Sequence, residues 1–168
     1  MPSPARSFQL WAPWRSAFLL QPRKPGCIFC AATRRQGSRR HPDRVVARRP
    51  HAFALLNLYP YNNGHLLIAP LRHVGDLTRL RLREWEDMLR LAQHLIRRLR
   101  AALRPQGFNV GLNLGRTAGA GIPGHLHLHI VPRWPGDTNF MPVVGNTKVI
   151  SQSLDALYTL LTRPGRRG

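Results

Sequence analysis

Three histidines alternate with aliphatic residues in the run HLHLHIV at positions 125–131. Because the side chains of a strand alternate between its two faces, His125, His127 and His129 would share one face, with neighbouring Cα atoms roughly 6.5–7 Å apart. A neutral imidazole can act as a nucleophile, a hydrogen-bond donor or a metal ligand near neutral pH. The spacing therefore predicts a chemical site. A three-histidine metal site and a solvated histidine face are the alternatives.

A glycine-rich segment, GRTAGAGIPG at 115–124, leads directly into these histidines. Glycine lets the backbone approach a ligand closely, and successive backbone N–H groups can form a nest for phosphate oxygens. A glycine-rich turn followed by three histidines on one face predicts that a phosphate group and a nucleophile meet at this point.

Cys27 and Cys30 lie three residues apart in the run CIFC. Such a pair in an intracellular chain indicates metal ligation or redox chemistry more than a structural disulfide. No helix is expected to follow the pair, which argues against thioredoxin-like chemistry. A pair of buried thiols without metal is the remaining alternative.

The sequence resembles the histidine-triad family, whose signature is His-φ-His-φ-His-φ-φ, where φ is an apolar residue. The run GHLHLHIVPRW resembles the catalytic strand of the family, LLNLYPYNNGHLLIAPLRH its upstream block, and CIFC the cysteine pair of many bacterial members. The opening LWAPWR and the tract GDTNFMPVVGNTKVI resemble the bacterial branch related to diadenosine tetraphosphate phosphorylases and hydrolases. The resemblance covers roughly residues 8 to 154.

The resemblance implies a role for each histidine of the site. His127 would attack the α-phosphorus and form a covalent nucleotidyl-imidazole, which divides one displacement into two steps. His129 would donate to the phosphate or to the departing oxygen, and His65 would help to set the arrangement of the imidazoles. Backbone amides around Gly119 and Gly121 would hold the phosphate.

Two asparagines and a metal site also follow from the resemblance. Asn57 would contact the ribose hydroxyls, although a turn-starting asparagine is an equal alternative, and Asn113 would make a further nucleotide contact. Two cysteines and two histidines suit a closed, tetrahedral structural zinc site. In this chain those four positions are Cys27, Cys30, His73 and His125. The resemblance also counts His125 among the catalytic histidines.

The implied activity is cleavage of dinucleoside polyphosphates, as a hydrolase if water accepts the nucleotide and as a phosphorylase if inorganic phosphate does. A purine nucleoside phosphoramidase and a nucleic-acid-associated nucleotidyl hydrolase are the alternatives. The net charge of +19, from 26 basic and seven acidic residues, favours an anionic ligand. Nucleic acid is weakly supported, because the aromatic and basic residues do not interleave as in a stacking platform. The resemblance also implies adenosine as the base and a homodimer.

The apolar pattern predicts an α+β fold with an antiparallel sheet of about five strands, one long helix and a C-terminal helix. A single domain would comprise a largely irregular arm with the cysteine pair at 1–43 and a core at 44–162. Strands are expected at 45–48, 52–57, 65–69, 108–114 and 125–131, with a short one at 147–150. Helices are expected at 82–103 and 151–161. No apolar run is long enough to span a membrane and no signal sequence is evident, so a cytoplasmic location is expected.

Overall fold

The computed structural model describes residues 26–34, 44–137, 150 and 152–163. All of them fall in one unit of the chain, Pro25–Asp137 with Ile150–Gly168. The other unit, Met1–Lys24 with Thr138–Val149, lies outside the described residues. A single domain over residues 1–168 therefore stays a prediction. The described residues include no helix that is long and apolar enough to cross a membrane.

Five antiparallel strands form one sheet within the described residues, in the order β1-β2-β3-β5-β4. They are β1 (Val45–Arg48), β2 (Ala52–Leu56), β3 (Leu66–Pro70), β4 (Gly107–Leu112) and β5 (Leu128–Arg133). Three α-helices accompany the sheet: α1 (Ile28–Arg34), α2 (Leu82–Leu103) and α3 (Leu154–Thr162). The predicted α+β class, the five strands, the long helix and the C-terminal helix are confirmed.

The central strands β2 and β3 are buried on both faces, against different helices. Helices α2 and α3 cover the face that carries Ala54, Ile68 and Ile130. Helix α1 covers the other face, where its Phe29 and Ala32 pack with Phe53, Leu55, Leu67 and Ala69. In the register of the sheet Leu67 lies opposite His129. Because paired residues share a face, His129 projects to the side of α1.

Helix α2 forms where the apolar residues recur at helical spacing. Met88, Leu91, Leu95 and Leu99 are at most 3% exposed and line its buried side. Full burial of such side chains is worth about 1.5–3 kcal/mol each, and that burial holds the helix on the sheet. The helix begins where the carboxylate of Glu84 accepts the backbone N–H of Arg81, and it ends at Arg104, which has the left-handed conformation (φ 50°).

Two expectations about secondary structure were wrong. The cysteine pair was expected in an irregular arm with no helix after it, but α1 starts directly after Cys27 and includes Cys30, so the absence of a helix no longer argues against thioredoxin-like chemistry. The last strand begins at Leu128 rather than His125, and it continues through Pro132. The backbone carbonyl of Pro132 accepts a hydrogen bond from Asn62, on the side away from β4. The backbone nitrogen of Pro132, which has no hydrogen to donate, faces the same side. Pairing with β3 ends at Ile130, so the proline removes no hydrogen bond between strands.

Strand β1 and helix α2 have the expected boundaries, and those of β2, β3, β4 and α3 differ from the expected ones by one to three residues. The strand expected at 147–150 lies outside the described residues except for Ile150, which is not in a strand.

Candidate active site and metal centre

The predicted catalytic histidines come together on the α1 face of the sheet. His129 lies in β5, His127 directly precedes that strand, and His65 directly precedes the adjacent β3. The side chains of His65 and His127 are almost completely buried, at 1% and 6% exposure. The ring centroids of His127 and His129 are 5.0 Å apart, and those of His65 and His129 are 5.2 Å apart.

A backbone contact determines the tautomer of His127. Its Nδ1 lies 2.8 Å from the carbonyl oxygen of His125. A carbonyl can only accept, so Nδ1 carries the proton and Nε2 keeps its lone pair. Burial lowers the pKa of His127 below its usual value, which keeps the imidazole neutral. His127 is therefore held as a neutral base with Nε2 available for nucleophilic attack.

A chain of hydrogen bonds determines the tautomer of His129 in the same way. The backbone N–H of Tyr61 donates to Nδ1 of His65 over 3.0 Å, so the proton of neutral His65 is on Nε2. That nitrogen lies 2.9 Å from Nδ1 of His129 and donates to it. The proton of neutral His129 is therefore on its Nε2.

The Nε2 atom of His129 is buried and has no hydrogen-bond partner among the described residues. Burial, and then the neighbouring His127, lower the pKa of His129 to about 4. The imidazole is thus neutral near pH 7 and holds an unused N–H donor. Within the part of the chain that the structure describes, Nε2 of His127 keeps its lone pair and Nε2–H of His129 is unused, on neighbouring rings 5.0 Å apart, which suits displacement at phosphorus.

Four potential metal ligands converge next to the histidines. One ligand atom from each of Cys27, Cys30, His73 and His125 lies within 4.8 Å of all the others. Nδ1 of His125 is 3.3 Å from Sγ of Cys27, 3.7 Å from Sγ of Cys30 and 3.2 Å from Nδ1 of His73. Nδ1 of His73 is 3.3 Å from Sγ of Cys30.

These separations fit a tetrahedral metal site. Zinc bonds of about 2.3 Å to sulfur and about 2.0–2.1 Å to nitrogen imply edges of about 3.3 Å between two nitrogens and about 3.5 Å between nitrogen and sulfur. The ring of His125 is also oriented for ligation: its Nε2–H donates to the carbonyl of Pro70 over 2.9 Å, so the lone pair of Nδ1 faces the cysteines. The four side chains therefore have the identity and spacing that a zinc ion requires, and His125 has the required tautomer.

His125 belongs to both groups of residues, through different atoms. Its side chain is fully buried and faces the cysteines, while its backbone carbonyl accepts the hydrogen bond from Nδ1–H of His127. Burial lowers the pKa of His125 to about 4, which leaves the ring neutral as a ligand must be. The structure thus places the His125 ring with the metal ligands rather than with the rings of His127 and His129.

The predicted substrate-binding residues surround the site in different ways. Asn57 approaches Nδ1 of His65 with its amide nitrogen, at 3.2 Å, and accepts the N–H of Tyr59 with its oxygen, as a turn-starting asparagine does. Asn113 directly follows β4 and donates to the carbonyl of Gly119 over 3.5 Å. Their predicted contacts with a nucleotide stay predictions.

The glycine-rich segment forms a turn whose amides are partly occupied. The N–H of Gly119 donates to the carbonyl of Arg116 over 2.9 Å, so this amide is used within the turn. The N–H of Gly121 makes no hydrogen bond to the described residues. The predicted phosphate contact is thus better suited to the amide of Gly121 than to that of Gly119.

Sequence reasoning missed three residues of the site. Phe29 lies between the two cysteines, and its ring centroid is 4.9 Å from that of His125 and 5.0 Å from that of His127. Tyr61 places its ring against His65 and His129. A Cβ added to Gly75 would lie 2.4 Å from the carbonyl oxygen of Pro123, so only glycine fits there. The aromatic residue inside CIFC was the one available signal.

Comparison with known proteins identifies the family of this domain. The sequence model of the HIT domain family matches residues 38–136 of this chain. The AP-4-A phosphorylase of Mycobacterium tuberculosis is 49% identical over 117 residues, which are 70% of this chain and 60% of that protein. An uncharacterized HIT-like protein of Mycoplasma genitalium is 32% identical over 136 residues, or 81% of this chain and 92% of the relative.

A crystal structure of a Zn-bound histidine triad family protein from Mycobacterium smegmatis superposes with a TM-score of 0.64 at 25% identity, over 82% of this chain and 91% of that one. The chain spans about 60% of the length of the Mycobacterium tuberculosis relative that it matches. The matched domain includes the three alternating histidines and the strands that position them. The chain belongs to the HIT family.

Proposed function

We propose that the protein cleaves dinucleoside polyphosphates of the diadenosine tetraphosphate type, with Nε2 of His127 as the nucleophile. The observation that carries this proposal is the bond from Nδ1–H of His127 to the carbonyl of His125, which leaves Nε2 with its lone pair beside the free N–H of His129. The name of the Mycobacterium tuberculosis relative, AP-4-A phosphorylase, supports this substrate class.

The first half of the reaction forms a bond between Nε2 of His127 and the α-phosphorus. The bond from that phosphorus to the bridging oxygen breaks, and ATP departs as the leaving group with the electron pair. The Nδ1 proton stays on the ring, where the carbonyl of His125 stabilises the positive charge that develops. Nε2–H of His129 donates a hydrogen bond to the departing oxygen, where negative charge accumulates.

The second half returns the nucleotide to an acceptor and restores the free imidazole. When water attacks the phosphorus, AMP leaves and the proton of the water passes to solvent. When inorganic phosphate attacks, ADP leaves. In both cases the electron pair of the nitrogen–phosphorus bond returns to Nε2 of His127, so one nucleophile serves a hydrolase and a phosphorylase.

The test is an end-point assay with diadenosine tetraphosphate, with and without inorganic phosphate, that resolves AMP, ADP and ATP. ADP with ATP only in the presence of phosphate identifies a phosphorylase, and AMP with ATP in its absence identifies a hydrolase. No cleavage, together with release of AMP from adenosine phosphoramidate, overturns the proposal in favour of the phosphoramidase alternative. Steeply salt-dependent binding of oligonucleotides without turnover favours the nucleic-acid alternative.

The nucleophile is tested by His127→Ala, with His94→Ala as the matched control. His94 is an exposed histidine of α2 and lines a cleft with β1, away from the histidine site. Loss of the nucleophile of a covalent mechanism should lower kcat by on the order of 10⁴-fold or more while nucleotide binding persists. An active His127→Ala variant contradicts the assignment. His94→Ala is expected to keep wild-type kcat.

We further propose that Cys27, Cys30, His73 and His125 bind a structural zinc ion. When bound, zinc would tie α1 to the segments that carry the two histidines, which supports the backbone next to His127. Metal analysis of protein prepared with zinc should give one zinc per chain. Cys30→Ser should lose the metal and lower the Tm, whereas Ala31→Ser, on the exposed side of the same helix, should do neither. A metal-free wild-type protein contradicts the zinc site.

A homodimer and a preference for adenosine complete the proposal, and both rest on the family resemblance. Light scattering after size-exclusion chromatography measures the mass of the particle, and a monomer contradicts the dimer. Competition between adenine and guanine dinucleotides measures the base preference. The expected cytoplasmic location stays a prediction.

A further inference from the structure

Tyr61 makes three contacts with the histidines that present the N–H donor. It lies in the loop between β2 and β3, four residues before His65. Its backbone N–H donates to Nδ1 of His65 over 3.0 Å. Its ring centroid is 4.6 Å from that of His65, at an angle of 43°, and 5.8 Å from that of His129, nearly parallel at 8°.

Through these contacts the ring of Tyr61 packs against the rings of both His65 and His129. The centroid distances lie in the range of favourable aromatic pairs, about 4.5–7 Å. Tyr61 is 42% exposed, whereas His65 is 1% exposed. The tyrosine ring therefore lies between these imidazoles and the solvent, and it contacts both partners of the hydrogen bond from His65 to His129.

The ability of His129 to donate a proton from Nε2 in a hydrogen bond depends on the bond from His65. As long as Nε2–H of His65 donates to Nδ1 of His129, the proton of His129 must be on Nε2, where it can reach a leaving group. If His129 rotates away, its neutral ring can carry the proton on either nitrogen, and the form with Nδ1–H has no donor at Nε2. The relative orientation of the rings of His65 and His129 thus determines whether Nε2 of His129 carries the N–H that can donate.

We propose that Tyr61 is a positioning residue whose ring holds His65 and His129 in the planes that keep the donor on Nε2 of His129. The proposal rests on the proposed function of the site, because it assigns the donor to the departing oxygen. Tyr61 acts through the two imidazoles and does not itself touch the reacting atoms.

The first test measures the tautomers without any substrate. Protein with ¹⁵N-labelled histidine distinguishes protonated from unprotonated ring nitrogens by their chemical shifts. Wild type and Tyr61→Phe should show His129 with the proton on Nε2 only. Tyr61→Leu and Tyr61→Ala, which remove the ring, should shift both ring nitrogens of His129 towards averaged values. Unchanged shifts in the folded variants overturn the proposal.

Tyr59→Ala is the matched control for these substitutions. Tyr59 is a tyrosine of the same loop and is 55% exposed, and its backbone N–H bonds to Asn57 rather than to His65. The tautomer of His129 should be unaffected by this change. Circular dichroism and the Tm confirm that each variant is folded, and Tyr61→Leu keeps an apolar side chain at the position in case Tyr61→Ala does not fold.

The second test measures whether the donor reaches the leaving group. A series of aryl esters of AMP offers phenols of graded acidity, and poor leaving groups depend most on a donor. Removal of the ring should lower kcat by about ten-fold for the poorest leaving group, with KM within about two-fold of wild type. The loss should shrink as the phenol becomes more acidic, and Tyr61→Phe should retain wild-type behaviour.

Other outcomes of the kinetic test overturn the proposal. A raised KM with unchanged kcat means that Tyr61 binds the substrate instead of positioning the donor. An equal loss for all leaving groups means a general structural role. If wild type turns over no nucleotide ester or dinucleotide, the proposed function fails, and the ¹⁵N spectra still decide whether Tyr61 controls the tautomer.

Discussion

Replacement of Glu84 by glutamine should remove much of the stability of the segment that carries His73. The carboxylate of Glu84 is 4% exposed and accepts two hydrogen bonds from Arg72, at 2.8 and 2.7 Å. It also accepts the backbone N–H of Arg81 at the start of α2. Because Arg72 directly precedes His73, this ion pair anchors one of the four proposed metal ligands to the long helix.

The size of the effect follows from the pKa of Glu84. The hydrogen bonds from Arg72, which outweigh the opposing effect of burial, lower that pKa from 4.5 to about 2. A shift of this size corresponds to about 3 kcal/mol of stability. Because the folded-state pKa is the lower one, this stability is fully present above pH 4.5 and is lost as the pH falls towards 2. Between pH 5 and pH 3 the loss is about 2 kcal/mol.

Urea denaturation at pH 7, 5 and 3 measures this contribution. Glu84→Gln should be about 3 kcal/mol less stable than wild type at pH 7, and the difference should shrink by about 2 kcal/mol at pH 3. Glu86→Gln is the matched control, since Glu86 is 57% exposed and pairs with Arg90 on the same helix. Its loss should stay below about 1 kcal/mol. A Glu84→Gln difference that does not vary with pH would refute the assigned cause.

Two further predictions concern the catalytic side of the sheet. Gly75→Ala should lower kcat/KM by ten-fold or more in a steady-state assay, because its Cβ would displace Pro123 and Gly124, upstream of the histidines. Gly107→Ala is the control, as its Cβ would meet nothing closer than 4.0 Å, and equal losses in both variants would contradict the steric cause. The low pKa of His129 should keep kcat/KM at pH 5.5 close to its value at pH 7. A fall in kcat/KM centred near pH 6.5 would show that His65 and His129 are solvated.

The local sequence was sufficient for the features that depend on periodicity and on residue type. The alternation of His125, His127 and His129 with aliphatic residues predicted one histidine face from strand geometry, and the structure brings the rings of His127 and His129 together but places that of His125 beside the cysteines. The recurrence of apolar residues every three or four positions predicted α2, because this spacing places them on one side of a helix. The cysteine spacing and the resemblance to known proteins together predicted the four side chains that the structure brings within 4.8 Å of one another as potential metal ligands.

Other features depended on contacts between segments that are distant in the chain. The pairing of β5 with β4 and β3 determined that β5 starts at Leu128 and runs through Pro132, and the packing of Phe29 on the sheet explains why a helix forms at the cysteine pair. The tautomers of His127 and His129 depend on hydrogen bonds to a carbonyl and a second imidazole. Residue types determine which chemistry is available, whereas the fold determines which nitrogen carries the proton, because a tautomer is set by the partner that each nitrogen meets.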